Sequence, residues 1–409
     1  MTLLITALYF EGVHALELRG HFKPQVTAVN IPGKSLLQDF SDDPAIDANL
    51  DLRLNLSGGS GQWSWRSDYQ LIAVKGDQLE LRQQNPNLGF NAVTLADDEQ
   101  RVFDLSHRIS DQDDRVITHR LDRFYLSHTS NKTVFKIGRQ AVSWGNGLIY
   151  NPVDFFNPFD PAAIDTEYKT GDDMLYAQYL LDSGDDVQVV WVGRRDEDDD
   201  VDADVSSLAL KYHRFSEASE FDLLVAEHYD ASIVALGGSI DIADAIWRSD
   251  IMLTDTGDEH FTSAVLNWSY SWIAWEKNTS VALEYFHNGF GIDDGDYDPV
   301  ALADNPELLT RIERAELYTL GENYLAAAAT IELAPLWVLT TSIFRNLDDN
   351  STLLQVFSQH DLQQDLQLLL ALNLPTGSDG NEFGGIDSGI DTRTLAVGAS
   401  LFAQLAWYY

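Results

Sequence analysis

The sequence predicts an all-β fold: a transmembrane antiparallel β-barrel of about eighteen strands, with sixteen as the alternative count. Three observations carry this. Apolar residues recur at every second position through much of the chain, the period of a strand whose two faces meet different surroundings. Short turns alternate with connections that are mostly longer. The 10 Trp, 16 Tyr and 19 Phe gather often near the ends of the alternating runs, where an interfacial girdle would sit. A closed sheet pairs every backbone group, which is what lipid demands of a spanning chain.

The chain opens on an apolar segment with Leu3, Leu4, Ile5, Leu8, Tyr9 and Phe10, ending in Val13-His14-Ala15. That small-x-small end makes residues 1–15 resemble a secretory signal peptide, atypical because no Lys or Arg precedes it and Glu11 interrupts it. No linker divides residues 16–409, which are expected to form one barrel domain. Leu52, Leu54 and Leu56 share a face, with Arg53 and Asn55 between them. Trp63, Trp65, Tyr69 and Leu71 alternate with Ser64, Arg66, Asp68 and Gln70. Leu208, Leu210 and Tyr212 alternate with Ala209, Lys211 and His213. The last run, Leu395 to Tyr409, is apolar at every odd position and stops on an aromatic residue. No apolar run is long enough for a spanning helix.

Short turns are expected at 57–61, 129–132, 183–186, 216–219, 241–243, 276–278, 334–335 and 358–361. Longer connections fall at 31–47, 77–114, 143–172, 195–203, 255–260, 288–318 and 374–392, with two further short ones near Tyr229 and from Leu347 to Ser351. Short periplasmic turns and long outer loops follow, and an even strand count leaves both termini in the periplasm. The connection at 288–318 should carry a helix, with Asn305 at its cap and Pro306 at its first position.

A formal charge of −39 excludes a general nucleic-acid binder, because phosphate attraction needs a basic surface. There is no Cys, so no disulfide, thiolate metal site or Cys nucleophile exists. The acids cluster in the expected outer loops as solvated faces. Asp198, Asp199, Asp200, Asp202 and Asp204 offer oxygen ligands for Ca²⁺, the one ion anticipated, although their spacing matches no defined calcium loop.

The expected lumen face is basic. Arg53, Arg66, Arg123, Lys136, Arg194, Lys211 and Arg248 fall on or near inward positions. In the fourth strand the phase leaves either Arg120 or Arg123 inward. Four bases on consecutive strands about 4.8 Å apart would form a ladder that draws anions or carboxylates into a pore. The competing reading pairs them with Asp68, Asp122, Asp154 or Asp160, so that they only stiffen the wall. After the fifth strand, the loop 143–172 carries Trp144, Asp154, Phe155, Phe156, Phe159 and Asp160. Its aromatics would be costly in water, so the loop is expected to fold into the lumen and constrict it.

No catalytic motif appears: there is no Gly-x-Ser-x-Gly, no His-Glu-x-x-His and no phosphate loop. Gly138-Arg139-Gln140, Trp144-Gly145 and Pro152-Val153-Asp154-Phe155-Phe156-Asn157-Pro158 together resemble a family of proteobacterial outer-membrane porin-like barrels of largely unassigned function. Gly138-Arg139-Gln140 is also similar to alginate-export barrels. The resemblance implies a Gram-negative outer-membrane channel and adds Arg139 to the pore-lining set; with the basic lumen face, the solutes expected are small and hydrophilic, anions among them. By phase Arg139 shares a face with Ile137 and points away from the lumen, unless a bulge at Gly138 re-aims it. The partners expected are the bilayer and lipopolysaccharide, a small solute, and the assembly machinery that reads a C-terminal aromatic such as Tyr409. The alternative is a plugged structural or interaction barrel whose acidic loops bind divalent cations or a partner.

Overall fold

In the computed structural model, residues 13–84 and 98–409 are described. Most of the expected signal segment, and residues 85–97 of the loop 77–114, lie outside the described residues. Eighteen staves close into an antiparallel barrel. In chain order they are Val13–Val29, Ala45–Ser60, Trp63–Gly76, Arg115–Thr129, Thr133–Gln140, Asp172–Leu180, Asp186–Val192, Ser207–Phe215 and Ser219–His228. The second half is Ala231–Ile242, Ala245–Asp255, His260–Ala274, Lys277–His287, Asn323–Ala334, Trp337–Asn346, Thr352–Gln363, Leu366–Thr376 and Ser400–Tyr408. The first stave pairs with both the second and the last, which closes the sheet.

The alternating pattern sets the two faces. Leu18, Leu208, Leu210, Leu236, Ile251, Leu266 and Leu325 are all exposed on the outside of the wall. A belt of this size in water would be an aggregation surface; against acyl chains it is the expected solvent contact. At the short-turn end, Trp268, Tyr270 and Trp272 stack in a row on one stave. Their amphipathic rings suit the depth where lipid gives way to water. The backbone is ladder-paired around the circumference, so the sheet presents no edge to lipid.

Several local expectations shift. The turn expected at 57–61 is tighter: Gly58 and Gly59 remain in the ladder opposite Trp65 and Ser64. Gly58 suits that place because a Cβ there would meet the Trp65 ring at 3.1 Å. The final stave starts at Ser400 rather than Leu395, since Thr394–Leu395 pairs instead with Ile386–Asp387. The long third connection contains a helix, Asp77–Gln84, and a strand, Ser106–Gln112, that pairs with the first half of the fourth stave. The helix Pro306–Glu313 forms with Asn305 at its cap position, but the Asn305 amide donates to Ala301 O rather than capping. A second short helix, Pro299–Ala303, precedes it and is capped by Asp298.

Among the described residues, the largest buried apolar cluster lies where the loop 141–171 meets the inner wall. Trp144, Val153, Phe155 and Phe156 pack against Met174, Val190, Val192, Leu224, Ile233 and Met252 of the staves. Phe290, Ile292, Tyr297 and Leu308, from the outer connection 288–322, join the same cluster.

Candidate functional site

The site is the lumen, which the loop 141–171 crosses. The loop is fastened to one wall by carboxylates that accept from its backbone. Glu284 takes the N–H groups of Leu148, Ile149 and Tyr150, with distances down to 2.6 Å at Tyr150. Asp250 takes the N–H of Asn146 at 2.6 Å and its side-chain amide at 2.7 Å. Three successive N–H groups converging on one carboxylate make a nest, a favourable arrangement for an anion. Trp144 Nε1 donates to Gln188, and the Tyr150 ring stacks on Phe286 at 4.8 Å. On the opposite wall the loop meets bases. Lys23 donates to Asp165 and Glu167, the Arg53 guanidinium lies 4.0 Å over the Tyr168 ring, and Arg123 donates to Lys169 O.

The basic ladder is present, and a bulge makes it denser than expected. The register between the third and fourth staves shifts at Asp68/Tyr69, so that Arg120 lies opposite Gln70 and Arg123 opposite Asp68. The extra residue puts Arg120, Asp122 and Arg123 all on the inner side. The question of Arg120 or Arg123 therefore resolves to both.

Most of the ladder is paired. Arg53, fully buried, binds Asp122 at 2.8 Å and stands 3.5 Å from Asp68. Arg120 bonds Gln70 and lies 3.3 Å from Asp122, while Arg123 binds Asp122 at 2.8 Å. Arg66 grips Asp68 through two nitrogens, with its side chain 38 % exposed to the lumen. Lys136 stands over the rings of Tyr125 and Tyr176 at 5.6 and 5.4 Å. Lys211 pairs with Asp222 at 3.0 Å, and Arg248 donates to Ser269. Both point inward. Arg194 lies higher, bonded to Asp172 and Ser207 and stacked on Tyr229.

Arg139 does not line the lumen. Gly138 has the unusual φ of +118°, yet the ladder passes through it without a register shift, leaving Arg139 opposite outward-facing Phe124. Its guanidinium is shut in by Asp173 at 3.0 Å, Asp98 at 2.7 Å and Phe103 O. It fastens the segment from Asp98 to Phe103 onto the wall. Burial pushes the Asp98 carboxyl up, but Arg139 and Arg101 outweigh this and hold it below its ordinary range.

Within the loop, Trp144, Phe155 and Phe156 are buried, while Phe159 is only half-buried beneath Lys169. Asp154 pairs with Lys169, yet burial still leaves its carboxyl above the usual range. Asp160 is accessible to solvent and bonds only the N–H of Ala162; enclosure by the barrel pushes its carboxyl up. A carboxyl that is both accessible and surrounded by protein faces an enclosed aqueous space.

Open volume lies on both sides of the loop. Toward the short-turn end, a space of about 770 Å³ is lined by Arg19, Asn55, Arg66, Tyr125 and Tyr168. Toward the outer end, one of about 330 Å³ lies among Phe155, His228, Tyr229, Phe290, Arg311 and Arg314. Arg19, His21 and Lys23 were missed by the sequence reading. Their signal was available: they alternate with Leu18, Gly20 and Phe22. Glu284 and Asp250 had no such signal, since only the folded loop shows what they bind.

The acidic run does not form a metal cage. Among the described residues, no three His, Asp or Glu side chains converge as ligands. Asp196 and Asp202 turn back on their own backbone N–H groups, and Asp199 takes Arg195. Asp198, Asp200 and Asp204 donate their N–H groups to these turns, and the Asp200 carbonyl accepts from Asp196 N–H.

A closed bilayer-height wall, an apolar belt and an inward loop define a porin-like β-barrel. No protein-family model matches the chain, and no curated protein does. Solved structures do. OprD of Pseudomonas aeruginosa matches with a TM-score of 0.53 at 10% identity, over 98% of this chain and 96% of that one. OccAB2 of Acinetobacter baumannii matches with 0.53 at 9%, over 96% and 98%. The outer membrane protein OpdK of Pseudomonas aeruginosa matches with 0.50 at 10%, over 96% and 99%. At such identities the likeness is one of fold.

Proposed function

We propose that this chain is a passive outer-membrane channel for small hydrophilic solutes, with a preference for anions. One observation carries the reading. The lumen loop leaves enclosed open space above and below itself, and the lower space is lined by Arg19 and Arg66. Neither base is sealed from water, so both act on a passing ion. The bilayer and lipopolysaccharide would surround the apolar belt, and the exposed Tyr409 would be read by the assembly machinery. The reading is of a channel, not an enzyme. The likeness to alginate-export barrels rests on three residues, of which Arg139 is a fastening of the wall; alginate is not the solute proposed.

The test is the reversal potential of the purified barrel in a planar bilayer under a salt gradient. Anion preference is expected, and Arg19→Gln with Arg66→Gln should move the potential toward cation preference. A second reading is favoured by the aromatic cluster that joins the loop 141–171 to the connection 288–322. It is a plugged structural or interaction barrel, whose acidic loops would engage cations or a partner. Absence of conductance, persisting after deletion of 150–165, would establish that reading and sink the channel.

A further inference from the structure

The two limbs of the lumen loop are held by different physics. The first, 142–157, is dry. Trp144, Val153, Phe155 and Phe156 are buried in one apolar cluster and Tyr150 in another, and Glu284 and Asp250 secure its backbone. In the second limb, 158–170, only Ala162 packs against an apolar cluster among the described residues. Charge holds this limb. Lys23 Nζ donates to Asp165 at 2.6 Å and Glu167 at 2.7 Å, and Tyr408 donates to Glu167 at 3.0 Å.

The wall behind the second limb is a polar seam. His21 Nδ1, Asn49 Oδ1, Asp51 Oδ1, Arg53 Nε and Asn55 Oδ1 are buried without a protein hydrogen-bond partner, His21 Nε2 stands 3.3 Å from Asp51, and Gln404 reaches Asp165 of the limb itself. These wall residues all face inward from the first, second and last staves, which are adjacent. Behind the first limb the wall holds two such atoms, Thr254 Oγ1 and Asn267 Oδ1, and the limb itself carries Asn151 Oδ1 and Asp154 Oδ1. Buried polar atoms of this kind are served by water. A segment resting on hydrated polar groups loses little when more water enters. One packed on aromatics loses its burial energy outright.

We infer that the second limb is an autoinhibitory strap, in which Asp165 and Glu167 stand on Lys23 as internal substitutes for an anionic solute. Carboxylates of the loop occupy the base that an entering anion would seek. Lys23 is sealed at 2 % exposure, but Asp165 and Glu167 are 26 % and 35 % exposed, so a competing anion or added salt reaches the pairs from the carboxylate side, releases the strap and uncovers Lys23 and Arg53. The effect on transport rests on the channel reading; the motion of the strap does not.

The chain has no Cys, so single thiols report without background. Gln404→Cys lies behind the strap, and Ala326→Cys lies behind the first limb; both positions are buried. Each folded barrel, in detergent, is treated with a small charged methanethiosulfonate at low and high salt. Salt should speed labelling at position 404 about tenfold, as should Asp165→Asn with Glu167→Gln, equivalent to ~1.4 kcal/mol over the two contacts. Position 326 should stay unlabelled. His21→Cys, at a buried position of the same seam, takes its place if Gln404→Cys fails to fold. Equal rates at the two limbs, or none behind the strap in salt and in the double variant, would overturn the strap. In bilayers, the double variant should strengthen anion preference. If nothing conducts while the thiol at 404 still opens with salt, the channel reading fails and the strap stands.

Discussion

The basic wall, from Val13 to Gln140, and the acidic wall, from Ser219 to Asn346, solve one problem in opposite ways. Each carries charge into a space where an uncompensated ion is costly. On the basic wall, Arg53, Arg66, Arg120 and Arg123 are answered by side-chain carboxylates, Asp68 and Asp122, from the same wall. On the acidic wall, Asp250 and Glu284 are answered chiefly by backbone N–H groups of the loop. The arginines of the first wall are paired without the loop; Lys23, whose partners are the loop's Asp165 and Glu167, is the exception. The second wall is complete only with the loop in place. A fixed wall and a loop-dependent one, facing each other, give the lumen one rigid side and one side that sets the position of the constriction.

The sharpest way to break this contrast is Glu284→Ala. Three N–H groups lose their acceptor, each at about 1–3 kcal/mol where water does not replace it. The loop should leave the wall while the barrel persists. The expected outcome is a larger, noisier conductance with heat-modifiable migration on gels unchanged. Arg53→Met comes next and tests the self-contained wall. It strips Asp122 and Asp68 of a buried partner and should cost about 3–5 kcal/mol in unfolding by denaturant. Adding Asp122→Leu should recover part of that loss, because the stranded charge goes with it.

A third prediction concerns pH on the acidic side. Glu382, in the outer connection 377–399, accepts from Tyr324 OH at 2.7 Å, Asn346 at 2.8 Å and Leu320 N–H at 2.9 Å. Burial overrides these donors and pushes its carboxyl up to about 7. The folded state thus holds the proton more tightly than the unfolded chain, whose carboxyl titrates near the ordinary 4.5. Stability is therefore greatest below about 4.5 and falls as pH rises toward 7, on the order of 3 kcal/mol in all. Hydrogen exchange around 380–385 should quicken over that window, and Glu382→Gln should flatten the dependence. The smallest effect is Arg66→Gln. Arg66 is 38 % exposed but its partner Asp68 is buried; with Arg53 still 3.5 Å from Asp68 the loss should be about 1–2 kcal/mol of stability, while the charge should still register in the reversal potential.

The two walls also differ in how legible they were. Barrel class, the eighteen staves and the inward loop follow from period-two patterning and aromatic loop composition, because the bilayer imposes one rule on every outward position. Arg53 and Arg66 were legible for the same reason: Arg53 stands between outward Leu52 and Leu54, and Arg66 follows outward Trp65 in the same alternation. Arg123 was read as inward only with Arg120 as its alternative, because a bulge at Asp122 breaks the period between them. Arg139 was ambiguous for the opposite reason: Gly138 invited a bulge that the ladder does not contain. Glu284 and Asp250 were illegible because their partners are backbone atoms more than a hundred residues away, which leave no trace in residue type.

The bulge at Asp122 has a consequence of its own. Leu121 pairs with Tyr69 on the lipid side, and Phe124 is exposed on that side three residues later. Removing the unpaired Asp122 would restore strict alternation without turning any other side chain around. One inserted residue has thus added a charged side chain to the lumen while leaving the membrane surface untouched. A barrel built this way can gain or lose internal charge by insertion and deletion, a route that spares every lipid contact.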